Sequence, residues 1–146
     1  MGRWMRLVAG LAVALTLLAG LWTPAAAQAP IKIGASISLT GTYAKLGSYT
    51  QDGYLLCAKE INDKGGLLGR KVQFVIYDDR SDPPTAIKLY EKLITEDKVE
   101  LVMGPYSSPV TNAASTVSEK HKKLMMASLA ATTSIWERGF KYLFMT

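Results

Sequence analysis

Hydrophobic positions along the chain alternate between two patterns, one typical of strands and one typical of helices. Amphipathic segments with apolar residues at helical spacing separate short apolar runs with strand character. The five predicted strands are Ile31 to Leu39, Lys71 to Tyr77, Glu100 to Met103, Leu124 to Ala127 and Tyr142 to Met145. Strands that alternate with helices predict an α/β fold, in which a parallel sheet carries helices on both faces.

Three helices are predicted between the first four strands. The first predicted helix begins at Gly47, and its core-facing residues are predicted to be Tyr54, Cys57, Ala58 and Ile61. The predicted core-facing residues of the second helix are Ala86, Leu89, Tyr90 and Leu93, and those of the third are Val110, Ala113, Ala114 and Val117. The run Lys64-Gly65-Gly66 is expected to end the first helix, because glycine accepts a left-handed backbone. Asp82 and Ser108, each followed by proline, are the predicted N-caps of the second and third helices.

Residues 1 to 27 have a different character from the rest of the chain. Arg3 and Arg6 precede an uncharged apolar run from Leu7 to Trp22, and small residues in an A-x-A pattern end at Ala27. This is the pattern of a secretory signal peptide, and the run is shorter than the roughly 20 residues that span a membrane. We therefore expect export with cleavage near Ala27, an uncleaved anchor being the alternative.

Composition adds limits on the function. The 146 residues are 49% hydrophobic and 20% charged, which is typical of a globular protein. Loss of the two arginines would lower the net charge from +5 to +3, and no basic run with interleaved aromatic residues follows, so nucleic-acid binding is not expected. Cys57 is the only cysteine, which excludes an internal disulfide and predicts a small core residue.

The residues that usually carry catalysis are not arranged for it. His121 is the only histidine and lies among charged residues at a predicted helix end, so we expect it to be solvated. Asp78 and Asp79 follow a strand, as an acidic metal or phosphoacceptor pocket would, but the prolines after them favour a structural turn. No nucleophile elbow, Cys-His pair or metal-ligand spacing occurs. The chain is therefore not predicted to be an enzyme or to need a cofactor.

Two loops rich in hydroxyl groups follow neighbouring predicted strands. One contains Ser107-Ser108, the other runs from Ser128 to Ser134, and both should reach the carboxyl edge of the sheet, where ligands bind in α/β proteins. Ser108 and the free N–H groups of a helix start are suited to a carboxylate. The Ala130 carbonyl and the Thr132 hydroxyl can accept from an ammonium group. The interpretation from these residues is a site for a small zwitterion.

Five ordered motifs resemble the periplasmic branched-chain amino-acid (Leu/Ile/Val) binding proteins of ABC transporters. The motifs are Ile33-Gly34 through Leu39-Thr40-Gly41, Ile61 to Arg70, Tyr77-Asp78-Asp79 with Asp82-Pro83 and Ala86, Gly104 with Ser107-Ser108, and Ala130-Ala131-Thr132. The resemblance covers essentially Ile31 to Thr146 and implies a type I periplasmic binding fold, in which two lobes enclose a ligand. Residues 28 to 146 would then be part of the N-terminal lobe, in a chain truncated at its C-terminus.

The resemblance also implies site residues. Residues at the positions of Ser108, Ala130 and Thr132 hold the α-carboxylate and α-ammonium of the ligand in that family. The neighbouring pocket residues would be Tyr106, Ser107, Ala131 and Leu46. Independently of the resemblance, Tyr43 and Tyr106 are candidates for the wall of such a pocket, a place in the core or on the surface being the alternative. Two of these positions depart from the family pattern, since Leu46 replaces a frequent aromatic residue and Tyr106 a classical apolar one. Head-group binding is therefore expected, whereas the preferred side chain is not implied.

The function implied by the resemblance is solute binding in the periplasm. The protein would be a monomer that binds a branched-chain or related amino acid and delivers it to the membrane permease of an ABC importer. The alternative is a sensory receptor or regulator that uses the same fold as its ligand-binding domain. A second lobe after Thr146 would favour the importer, and a membrane span with a signalling module would favour the receptor. An exported hydrolase is a distant third possibility.

Overall fold

The computed structural model describes residues 28 to 146, so the predicted signal peptide lies outside the described residues. Five strands are present: β1 (Ile31–Ile37), β2 (Val72–Asp78), β3 (Leu101–Met103), β4 (Met125–Ala127) and β5 (Leu143–Met145). Three α-helices connect the first four strands: α1 (Ala44–Asp63), α2 (Pro83–Thr95) and α3 (Ser108–Lys120). A short 3-10 helix, Thr133–Ile135, lies between β4 and β5. None of the helices in residues 28 to 146 is long and apolar enough to cross a membrane.

All strand pairs in the sheet are parallel, and the strand order is β2-β1-β3-β4-β5. The α/β prediction with a parallel sheet is thus confirmed. The chain moves from β1 to one side to form β2, and then crosses to the other side of β1 to form β3. The order of strands therefore reverses between β1 and β3, and the loops that leave these two strands border a crevice where α/β proteins bind ligands.

The two faces of the sheet have separate hydrophobic cores. Helices α2 and α3 cover one face, whose core includes Tyr90, Leu93 and Val102. Helix α1 covers the other face with Tyr54, whose ring stacks on Phe74 at a centroid distance of 5.4 Å. Adjacent strand residues point to opposite cores because side chains alternate along a strand. Helices thus flank both faces, as predicted.

Helix α1 buries Tyr54 and Ala58 as we predicted and partly buries Ile61, but the rest of its sheet-facing side differs from the prediction. It begins at Ala44, and its buried residues are Gly47, Thr50, Tyr54 and Ala58. Cys57 is exposed, so its assignment to the core is wrong. The close approach of Gly47 to the backbone of Ser38 explains which side of α1 faces the sheet. A Cβ on Gly47 would lie only 2.0 Å from the Ser38 carbonyl oxygen. Apolar periodicity could not show this contact.

The predicted signals at the ends of two helices are confirmed. The Asp82 carboxylate caps α2, because it accepts from the Thr85 N–H at 2.9 Å and from the Thr85 hydroxyl at 2.6 Å. Helix α1 is followed by Gly65 and Gly66, with φ values of 101° and 93°. These left-handed conformations allow the chain to leave the helix and turn towards β2.

Gly104 allows the backbones after β3 and within β4 to approach closely. A Cβ at this position would lie 2.9 Å from both the Cα and the Cβ of Ala127. Replacing Gly104 with alanine is expected to lower the free energy of unfolding by about 1 to 2 kcal/mol, because the two strands must move apart. Urea unfolding of the full-length protein measures this loss.

The matched control is Gly53→Ala in α1. A Cβ at Gly53 meets nothing within 4 Å, and alanine favours a helix, so this variant should be as stable as the parent or slightly more stable. Equal stability of the two variants would contradict the close approach at Gly104.

Candidate ligand-binding site

Buried hydroxyl groups hold the loop after β3 in place. The Tyr90 hydroxyl donates to the Met103 carbonyl at 2.6 Å, and the Tyr54 hydroxyl donates to the Gly104 carbonyl at 2.9 Å. The Thr111 hydroxyl donates to the Pro105 carbonyl at 3.2 Å. Burial raises the pKa of both tyrosines above the ordinary value, so they remain protonated donors at neutral pH. Three successive carbonyl groups are therefore paired, which fixes the path of the chain into the serine pair that follows.

The predicted N-cap of α3 is wrong by one residue. The helix begins at Ser108 and Pro109 is its second residue, while Ser107 occupies the cap position without a side-chain cap bond. Ser107 has a φ of 84°, outside the extended region that N-cap residues normally adopt, so its hydroxyl does not bond to the helix N–H groups. The buried Ser107 hydroxyl has no hydrogen-bond partner within residues 28 to 146.

Ser108 joins the two hydroxyl loops directly. Its Oγ accepts a hydrogen bond from the Thr132 N–H at 3.2 Å. The O–H of Ser108 is left free to donate, and the Thr132 hydroxyl is without a partner in the described part of the chain. The amides of Ser108 and Val110 are likewise unbonded among residues 28 to 146, as expected at a helix start. Donors and an acceptor thus converge where the two loops meet.

Two recesses open at this edge of the sheet. The serine recess has a volume of about 200 Å³ and is lined by Ser108, Pro109, Asn112, Thr132, Ser134 and Ile135. The tyrosine recess has a volume of about 450 Å³ and is lined by Tyr106, Ser128, Leu129, Ala130, Ala131 and Met145. The structure therefore brings five of the predicted site residues to these two recesses.

The remaining predicted residues occupy different positions. Ser107 is buried between the residues that line the two recesses. Leu46 is 45% exposed in the first turn of α1 and lines neither recess. The Tyr43 ring meets the Tyr106 ring edge to face, with a centroid distance of 5.7 Å and an interplanar angle of 62°. This contact bridges the loops that leave β1 and β3.

The Asp78 carboxylate fixes the loop that follows β1. It accepts from the Leu39 and Thr40 N–H groups at 2.9 and 3.2 Å, and from the Thr40 hydroxyl at 2.7 Å. Burial opposes ionisation, but the hydrogen bonds from Thr40, Arg80 and Leu39 outweigh it and hold the pKa of Asp78 below its usual value. These bonds support the structural role expected for this residue.

Asp79 is fully buried directly behind the same loop. Its carboxylate accepts from the Ser38 and Ser36 hydroxyls at 2.6 and 3.0 Å and from the Ser81 N–H at 2.9 Å. Burial raises the pKa of this carboxyl group above its ordinary value, against the effect of the hydrogen bonds. Asp79 therefore ties β1 to the loop after β2.

His121 is half buried, so the prediction that it is solvated is wrong. Its Nε2 lies 2.6 Å from the Glu91 carboxylate, which also pairs with Lys120 at 2.6 Å. The pairing with Lys120, and then with His121, lowers the pKa of Glu91. This network joins the ends of α2 and α3, at the opposite end of α3 from Ser108. No group of side chains that could hold a metal ion occurs within residues 28 to 146.

The sequence and the fold resemble those of known proteins. The sequence profile of the periplasmic binding protein family matches residues 30 to 146. The chain belongs to the periplasmic binding protein family. The family consists of periplasmic solute-binding proteins and not of enzymes. Membership confirms the prediction that the chain is not an enzyme, and it agrees with a periplasmic location.

Two relatives support the resemblance to the branched-chain amino-acid binding proteins. The leucine-, isoleucine-, valine-, threonine- and alanine-binding protein of Pseudomonas aeruginosa is 33% identical over 144 residues, which are 99% of this chain and 37% of the relative. The branched-chain amino acid transporter substrate binding protein LivJ of Streptococcus pneumoniae, solved with isoleucine, is 32% identical with a TM-score of 0.76. That match covers 80% of this chain and 33% of the LivJ chain.

A further solved relative holds a different ligand. A solute-binding protein of an ABC transporter from R. palustris, in complex with 4-hydroxybenzoate, is 28% identical with a TM-score of 0.68. The match covers 81% of this chain and 31% of that protein. The chain therefore spans about a third of the length of the relatives that it matches.

Proposed function

We propose that this chain is the ligand-binding first part of a periplasmic solute-binding protein, which serves an ABC importer for branched-chain or related amino acids. The observation that carries the proposal is the hydrogen bond between the Thr132 N–H and Ser108 Oγ. This bond holds two hydroxyl groups and a helix start at one edge of the sheet. The ligands of the two solved relatives, isoleucine and 4-hydroxybenzoate, both carry a carboxylate.

The proposed binding chemistry is recognition of a zwitterion. The Ser108 O–H and the free amides at the start of α3 donate to the carboxylate, which the positive end of the helix also favours. The Ala130 carbonyl and the Thr132 hydroxyl accept from the ammonium group. The pocket wall is completed by Tyr106, Ser107 and Ala131, and Leu46 stays a predicted wall position. No bond is made or broken, so binding and release are the whole activity.

The proposed domain organisation has two parts within these residues. Residues 1 to 27 form a signal peptide cleaved near Ala27, and residues 28 to 146 form part of the N-terminal lobe. A second lobe would close over the ligand, and the closed monomer would deliver it to the permease. The family profile, which matches from residue 30, supports the first boundary, and the coverage of about a third of the relatives supports assigning residues 28 to 146 to only part of the binding fold. The alternative of a sensory receptor would require a membrane span and a signalling module after Thr146.

A thermal-shift experiment on the full-length protein tests the proposal. Isoleucine or a related amino acid at about 100 times its Kd should stabilise the protein by about 2.7 kcal/mol. The amine that lacks only the carboxylate should give no shift at the same concentration, because the donors around Ser108 would have no partner. Equal shifts with the amino acid and the amine, or no shift with any amino acid or carboxylate, would contradict the proposed site.

A further inference from the structure

We propose that Tyr43 and Tyr106 form a ring-binding wall, which selects ligands with an aromatic side group over ligands with a branched alkyl group. This inference rests on the proposed function, since it names the ligand class for the same site. It goes beyond that function because branched-chain binding proteins are expected to prefer aliphatic side chains. The argument depends on the position, rigidity and polar ends of the two rings.

The position of the rings places the wall at the crevice. Tyr43 precedes α1 in the loop after β1, and Tyr106 lies in the loop after β3, so the pair lies across the point where the strand order reverses. Tyr106 also lines the tyrosine recess, next to the small residues Ala130 and Ala131. A recess of about 450 Å³ beside a ring leaves room for a second ring.

The wall is rigid before any ligand arrives. The Ser81 hydroxyl accepts from the Tyr43 N–H at 3.0 Å and donates to the Thr40 carbonyl at 2.9 Å, which fixes the backbone of Tyr43. Tyr106 lies between the buried residues Pro105 and Ser107. The rings also hold each other in an edge-to-face arrangement, a preferred geometry for aromatic pairs. A preorganised wall favours a flat, rigid ligand, because neither partner has to be ordered on binding.

The surface chemistry of the recess favours a ring over an alkyl chain. The half-buried face of Tyr106 can take a third ring in an offset or edge-on arrangement, and the Met145 thioether on the same recess makes favourable contacts with aromatic rings. The phenol groups of Tyr43 and Tyr106 have no hydrogen-bond partner in residues 28 to 146. An alkyl side chain packed against Tyr106 would leave the Tyr106 hydroxyl unpaired, whereas a ring with a polar substituent can pair with it.

The experiment is calorimetric titration of the full-length protein with phenylalanine, tyrosine, 4-hydroxybenzoate, leucine and isoleucine. The best aromatic ligand should bind roughly tenfold more tightly than leucine. Comparison of tyrosine with 4-hydroxybenzoate shows whether the α-ammonium group is required in addition to the ring and the carboxylate. If tyrosine binds more tightly, the preferred ligand class is aromatic amino acids. If 4-hydroxybenzoate binds more tightly, the preferred class is aromatic acids without an α-ammonium group. Both results support the ring-binding wall.

Substitution at the wall tests the role of Tyr106 itself. Tyr106→Leu should lower the ratio of aromatic to leucine affinity by roughly tenfold. Tyr106→Phe keeps the ring, so it should retain the preference for aromatic ligands and lose only the preference for a ring hydroxyl. The control is Tyr49→Leu in α1, where an exposed tyrosine undergoes the same change and the ratio should not move.

Two results would overturn the inference in distinguishable ways. If leucine or isoleucine binds most tightly and Tyr106→Leu leaves the affinity ratio unchanged, the ring-binding wall is wrong and the proposed function stands. If none of the five ligands binds the folded protein, the ring-binding wall is wrong, and the proposed function fails as well if no other amino acid or carboxylate stabilises the protein in the thermal-shift experiment.

Discussion

Replacing Ser108 with alanine is expected to weaken ligand binding by about 1 to 3 kcal/mol, the scale of a lost hydrogen bond to a charged group. This corresponds to roughly a 5- to 150-fold increase in Kd. The variant loses the donor to the proposed carboxylate, and it also leaves the Thr132 N–H without its acceptor. Calorimetry on the full-length protein with its best ligand measures the change.

A second hydroxyl on the same helix provides the control. Thr116 is exposed in α3 and bonds only to the Ala113 carbonyl at 2.7 Å, so Thr116→Ala should leave the affinity unchanged. Thr132→Ser keeps a hydroxyl and should bind much better than Thr132→Val. If Ser108→Ala and Thr132→Val both bind with the affinity of the parent protein, the proposed cradle is wrong.

The order of elements could be predicted from the sequence because each element carries its own period. The chain alternates between strand and helix spacing with clear end signals, such as Asp82 with Pro83 and the pair Gly65-Gly66. These are local interactions, and the structure has strands and helices in the predicted order. Convergence of the Ser108 and Thr132 loops also followed, since loops after neighbouring parallel strands must meet at one edge.

The parts that could not be predicted depend on contacts between distant residues. The sheet-facing side of α1 is set by the contact of Gly47 with Ser38, while apolar residues such as Leu55 and Leu56 remain exposed. Apolar periodicity therefore selected Cys57 wrongly. The choice of Ser108 as N-cap failed for a backbone reason, because the left-handed φ of Ser107 cannot be inferred from two consecutive serines.

The hydrogen bonds and ring contacts that hold the site loops in place could not be predicted from the sequence. Tyr90 was predicted only as a core residue, yet its hydroxyl donates to the Met103 carbonyl and accepts from the Ser36 N–H at 3.4 Å, which links β1 to β3. This role requires the strand order, which periodicity does not contain. The edge-to-face contact of Tyr43 with Tyr106 depends on the same neighbouring strands. The meeting of the two hydroxyl loops was therefore easier to predict than the scaffold that holds them.

Replacing Asp79 with alanine is expected to lower the free energy of unfolding by about 3 kcal/mol, a large effect for one substitution. The change leaves three donors without an acceptor: the hydroxyls of Ser36 and Ser38 and the N–H of Ser81. These donors are buried or half buried, so the penalty is mostly the cost of unpaired polar groups. Urea unfolding of the full-length protein measures the loss, and the exposed Asp52→Ala should change stability by less than about 0.5 kcal/mol.

Asp79→Asn separates the hydrogen bonds of this side chain from its charge. The amide oxygen can accept from Ser38 and Ser81, and the amide nitrogen can donate to the Ser36 oxygen, so this variant should be far more stable than Asp79→Ala. Because the pKa of Asp79 is raised above 3.8 in the folded state, the native carboxyl holds its proton more tightly than the unfolded one. The parent protein therefore loses stability at this group as the pH rises from about 4 through the folded pKa. The stability of Asp79→Asn relative to the parent should accordingly increase from about pH 4 to about pH 7, and a difference that stays constant over this range would contradict a pKa of Asp79 that burial raises in the folded state.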